Sequence, residues 1–157
     1  MKDLSIYESG SGGELLMVNS DISLADSLLQ IVYLCLFGGN VEAITLGNEN
    51  QGEVRNDWWG NPLIFKEEKD KQFNSITEKT LKKTALSSAG RILILNAVNE
   101  DLKSLKVFAD VKADVIIKDS SKVNINVKLS RLKNKQDVTL DFLWDNVQNS
   151  VIFYKMI

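Results

Sequence analysis

The stretch from Val107 to Trp144 limits the possible folds more than any other part of the chain. Val107, Ala109, Val111, Ala113, Val115 and Ile117 alternate with mostly polar residues. Asp119-Ser120-Ser121-Lys122 reads as a turn, after which Val123, Ile125, Val127 and Leu129 alternate with Asn124, Asn126, Lys128 and Ser130. Successive strand side chains point to opposite faces, so a sustained period of two predicts an antiparallel hairpin with one wet face. A third alternation, Val138, Leu140, Phe142 and Trp144, follows the polar run 133–137, and Val151-Ile152-Phe153-Tyr154 offers a fourth strand. The expectation is an antiparallel meander of three to four strands.

Two main helices are expected ahead of it. In the first, Ser23 would be the N-cap, Asp26 would sit near the positive end of the dipole, and Gly38-Gly39 would supply a left-handed stop. Residues Leu28 to Phe37 are apolar almost all round, which predicts burial on several sides, with Cys35 as a small core residue. The second begins at Ser75-Ile76-Thr77-Glu78, which has the spacing of a capping box. Ile76, Leu81, Ala85, Ala89, Ile92 and Leu95 form its apolar stripe, with a bend near Gly90. At the N-terminus, Leu4, Ile6 and Tyr7 face Leu15 to Val18 across a glycine-rich turn, which predicts a short hairpin; Val41 to Leu46 could add one short strand. The fold class is therefore α+β, as a single domain over residues 1–157.

Composition removes much chemistry. The chain has no histidine and a single cysteine, which excludes a Ser-His-Asp triad, a Cys-His pair, a His-ligated metal and an internal disulfide. Asp and Glu lack the spacing of an EF-hand, so neither a metal nor a cofactor is expected. A net charge of −2 gives no basic field for nucleic acid. The glycine-rich turn lacks the lysine and hydroxyl residue of a phosphate-binding loop. The opening residues have no apolar stretch typical of a secretion signal, and the run Leu28 to Phe37 is too short to span a bilayer. A soluble protein made in the cytoplasm is expected, with no membrane insertion.

One segment asks for a separate account. Asn56-Asp57-Trp58-Trp59-Gly60-Asn61-Pro62 places two of three tryptophans among turn residues, before the only proline. Each tryptophan buries roughly 150–250 Å², more than a loop hides within itself. Two uses of that area are open: the loop folds back to close the interior, or it anchors a partner. Glu49, Glu53 and Asp57 lie near the tryptophans, and a carboxyl beside an aromatic ring can serve carbohydrate hydrolysis; nothing in the spacing fixes a catalytic pair.

The order of parts resembles a known family. A buried helix ending near Leu36-Phe37 leads to Asp57-Trp58-Trp59-Gly60-Asn61. A long helix with Thr77-Glu78-Lys79-Thr80 follows, then paired strands and Asp141-Phe142-Leu143-Trp144. Across roughly residues 22–146 this resembles the small baseplate protein of Mu-like contractile-tailed phages, whose members carry a turn followed by W-W-G-D/N. It is similar more distantly to the baseplate wedge family of T-even phages often labelled lysozyme-like. The chain departs from the pattern where Asn56-Asp57 replaces an arginine and glycine, and Pro62 to Lys66 is short and has no tryptophan. The resemblance implies a non-enzymatic structural subunit in a symmetric hetero-oligomer at the tail baseplate. It would contact wedge and hub proteins, with the sheath as a further candidate. The partner-contact candidates are Trp58, Trp59, Gly60, Asn61 and Trp144. A carbohydrate hydrolase and a bacterial adaptor are the rival expectations.

Overall fold

In the computed structural model the chain is described for residues 2–8, 13–39, 57–58, 60–66, 68, 71–131 and 137–157. It is α+β, as expected, and divides into two compact units, Met1–Ser75 and Ile76–Ile157.

The second unit carries the meander. Strands β7 (Ala109–Ile117), β8 (Lys122–Arg131), β9 (Val138–Asp145) and β10 (Ser150–Met156) form one antiparallel sheet in the order β10-β9-β8-β7. The register explains the core. Val115, Ile125 and Phe142 lie side by side across three strands, and so do Ala113, Val127 and Leu140. Val123, Ile125, Val127, Leu129, Leu140 and Phe142 are fully buried, each burial contributing about 1.5–3 kcal/mol. The other face is wet, with Asp141 Oδ1 accepting from Asn124 Nδ2 at 2.8 Å and from Asn126 Nδ2 at 3.4 Å.

The turns are fixed by short side chains. Asp119 accepts from both the backbone N–H and the hydroxyl of Ser121, and these bonds hold its carboxyl below the ordinary value. Asp145 Oδ1 accepts from the backbone N–H groups of Val147 and Gln148.

The long second helix is two helices. α3 (Ile76–Lys83) ends, four residues intervene, and α4 (Ser88–Asp101) begins. The Ser87 side chain caps α4 by accepting from Gly90 N–H, and a 3-10 turn, Leu102–Val107, follows. α4 packs on β7 and against α3. The apolar stripe differs from the expected one. Gly90, Ile94, Ala97 and Val98 are buried in α4, while Ala89 and Ile92 are exposed. The break resets the helical phase, so a stripe that begins correctly at Leu81 does not continue on the same face. Val107 does not open the first strand but lies exposed in the 3-10 turn.

The start of α3 is also capped differently. Ser75 has φ 45° and its hydroxyl donates to Leu34 O at 3.4 Å, so it is not an N-cap of the usual extended kind. Instead the backbone N–H groups of Ile76 and Thr77 donate to the two carboxylate oxygens of Asp101. Glu78 pairs with Lys82 one turn on, at 2.7 Å.

The first unit begins with strands of two or three residues. β1 (Lys2–Leu4) pairs with β6 (Leu24–Asp26), β2 (Ile6–Glu8) with β3 (Gly13–Leu15), and β4 (Met17–Val18) with β5 (Asp21–Ile22). The single hairpin read from the sequence is thus one arm of three. The arms meet in a closed cycle of backbone hydrogen bonds: Ser5 N–H donates to Ser23 O, Ser23 N–H to Leu16 O, and Leu16 N–H to Ser5 O, at 2.8–2.9 Å. Ser23 is therefore part of this junction and not the N-cap of the helix, which starts at Ser27, directly after β6. That helix, α1 (Ser27–Phe37), is apolar almost all round and buried from Val32 onward, Cys35 included. Its end needs a glycine for reasons of space. A Cβ on Gly38 would stand 2.6 Å from Leu34 O. The candidate strand Val41 to Leu46 lies outside the described residues.

Candidate functional site

The tryptophan turn is built around one asparagine. α2 (Asn61–Ile64) is a single helical turn with Pro62 in its first positions, where a missing N–H costs nothing. Asn61 is buried, and its side-chain amide makes two bonds to the backbone of Phe73: Nδ2 donates to Phe73 O at 2.8 Å, and Phe73 N–H donates to Oδ1 at 3.0 Å. Its side chain thus does what a neighbouring strand would do. Trp58 N–H donates to the same Phe73 carbonyl at 3.0 Å, and Asn61 N–H donates to Trp58 O at 3.1 Å.

The rings follow from that frame. Trp58 lies 5.5 Å from Phe73 between ring centroids, and Phe73 lies 5.6 Å from Phe65 at an edge-on angle. Gly60 is buried beneath the indole, where a Cβ would overlap three atoms of the Trp58 six-membered ring. A glycine between tryptophan and asparagine is therefore a steric need of this turn.

Burial decides between the two uses foreseen for Trp58. It is 6% exposed, Asn61 is 3% exposed and Gly60 is buried, so all three close an interior and present no face for docking. Trp144 is equally inward. It is 1% exposed on β9, opposite Val123 and Val151, with Nε1 donating to Asn146 Oδ1 at 3.4 Å. Expecting these residues to be contact anchors took aromatic content as a sign of exposure; here the rings fill gaps between elements. Trp59, Glu49 and Glu53 lie outside the described residues, and Asp57 is half-buried.

The solvent-facing apolar groups are different ones. On α2, Leu63 and Ile64 are exposed. In the ribbons, Leu4 stands opposite Leu24 and Met17 opposite Ile22, and all four are exposed. Phe108 is 74% exposed beside Val107. Sequence reasoning missed the ribbon residues because strands this short carry no measurable period.

The second unit has a shallow concavity of about 530 Å³ between the start of α4 and β7, lined by Leu86, Ser87, Ser88, Arg91 and residues 114–117. Arg91 crosses it, donating to Val115 O at 3.4 Å and lying 3.7 Å from Asp114 Oδ1. Among the described residues no group of three or more Cys, Asp or Glu side chains is placed to hold a metal ion, and no helix is long and apolar enough to cross a membrane.

No family model, curated protein or solved structure matches this chain. Function is therefore to be read from its exposed surfaces and the chemistry they offer.

Proposed function

We propose that this chain is a structural subunit of a contractile-tail baseplate, held in place by apolar docking of its N-terminal ribbons onto larger neighbours. The supporting observation is the pairing of Leu4 with Leu24 and Met17 with Ile22, apolar cross-strand pairs whose side chains are exposed. Two-stranded ladders are marginal in water and gain stability when a further layer covers them. Each such side chain contributes roughly 25 cal/mol per Å² of apolar surface removed from water, so a covering partner stabilises both the contact and the ribbons. The buried Trp58, Gly60 and Asn61 have a supporting role in this reading: they hold the turn that presents Leu63 and Ile64.

The test uses cells that encode the protein. Contractile tail particles are purified and the chain is located with gold-labelled antibody, with label expected at the baseplate end. A chain in which Met17 and Leu24 are both replaced by serine should fold but be missing from the particles. Particles that contain no copy of the native chain overturn the reading.

A further inference from the structure

We propose that two copies of this chain pair antiparallel through the outer edge of β7, joining their four-stranded sheets across a two-fold axis at Ala113. This inference stands on register and charge, independently of the proposed baseplate role.

Among the described residues β7 is an edge strand: β8 lies on one side of it, and it ends the sheet order. Lys118 N–H donates to Lys122 O at 2.9 Å, in the same register as the β7–β8 ladder. Antiparallel pairs alternate, so even-numbered residues of β7 exchange hydrogen bonds with β8 and odd-numbered ones direct N–H and C=O outward. The contacts of Val115 agree, since its C=O accepts from Arg91 Nη1 and its N–H donates to Asp114 Oδ1. Val111 and Ala113 carry their backbone groups on the same open side.

The wet face of this edge reads Asp110, Lys112, Asp114, all well exposed. With the axis at Ala113, Val111 exchanges hydrogen bonds with the second copy's Val115, and the whole of Ala109–Ile117 is paired. Lys112 then faces the second copy's Asp114, twice over by symmetry, at a non-hydrogen-bonded position where side chains stand closest. Moving the axis by one residue sets Lys112 against itself or Asp114 against itself, and like charges directly opposite are destabilising. The charge alternation thus selects one register.

Lys112 has a reason to take such a partner. Within the sheet it stands opposite Lys128, a like-charge pair, and its own Asp110 lies at 4.0 Å. The second copy's Asp114 would supply a carboxylate on the side where the sheet ends. The exchange is balanced at Val115. Its N–H and C=O pass from Asp114 and Arg91 to the second copy's Val111, which frees the Asp114 carboxylate for Lys112. Exposed charges and these two caps also guard the edge against unrelated strands.

The test is sedimentation of the full chain over a concentration series. The native chain is expected to dimerise, and Lys112→Asp and Asp114→Lys should each weaken self-association about tenfold or more. Mixed together, the two variants should form a heterodimer, because each aspartate then meets a lysine at both symmetry-related positions. Far-ultraviolet circular dichroism verifies that each variant is folded. A native chain that stays monomeric throughout, variants that dimerise as the native chain does, or a mixture that does not associate would each overturn the proposal.

Discussion

The carboxylate of Asp101, the last residue of α4, caps the first turn of α3 by accepting from the backbone N–H groups of Ile76 at 3.0 Å and Thr77 at 2.7 Å. Four N–H groups at a helix start lack partners within the helix, and an anion there also meets the positive end of the dipole. The contact ties the two helices end to start.

Asp101 makes stability depend on pH. Burial pushes its carboxyl up from 3.8 to about 6, against the opposing pull of its hydrogen bonds to Thr77 and Ile76. A raised folded-state value means the folded chain holds the proton more tightly. The contribution is fully present below about 3.8 and is lost as pH rises through about 6. The full swing is roughly 3 kcal/mol. Asp101→Asn keeps one acceptor and cannot titrate. Urea unfolding at about pH 5 and about pH 7 should show a smaller pH difference for Asp101→Asn than for the native chain. Equal differences would remove Asp101 as the cause.

Gly60→Ala tests the interior placement of Trp58. The added methyl overlaps the indole, so the ring must move or the turn must open. A loss of about 1–3 kcal/mol is expected, the usual range for overpacking. Trp58→Ala should cost about 3–5 kcal/mol, as for other large aromatics removed from cores. Thermal unfolding of both variants measures this; a melting curve unchanged by Trp58→Ala would place the ring outside the interior.

Asn61→Ala removes both side-chain bonds to Phe73. The Phe73 N–H loses its acceptor and its carbonyl keeps only Trp58, so the expected loss is about 1–3 kcal/mol. Amide hydrogen exchange is the direct readout. The Phe73 N–H should exchange faster in the variant, and native protection there would show that Asn61 does not hold it.

Gly90→Ala sets two effects against each other. Alanine favours a helix interior by about 1 kcal/mol over glycine. The same methyl would run into the backbone carbonyl of Ala85, which closes the break between α3 and α4 and has no flexible end to yield. The clash outweighs the propensity, and chemical denaturation should find the variant less stable. A stabilised variant would mean that the break relaxes easily.

The meander was legible because each strand spans enough residues for the period of two to show, and the register then follows from matching apolar faces. The N-terminal arms were not, since two or three residues define no period. The turn between β4 and β5 also hides its signal: Asn19 and Ser20 both have positive φ, at 51° and 64°, in a position where glycine usually marks the second residue. Ser75-Ile76-Thr77-Glu78 misled through a local match that a distant competitor won, as Asp101 lies 24 to 25 residues beyond the N–H groups it caps. The tryptophan turn was singled out correctly as unusual. Its outcome depended on Phe73, whose part in holding Asn61 no spacing rule would reveal.

The cycle of Ser5, Leu16 and Ser23 makes the first unit tolerant of change at its extremities. Each arm joins the centre through two of the three residues, one on each of its strands, so lengthening or shortening an arm beyond Val18 and Asp21 leaves the three central bonds in register. Foreign sequence grafted at Asn19-Ser20 would be displayed on an undisturbed frame.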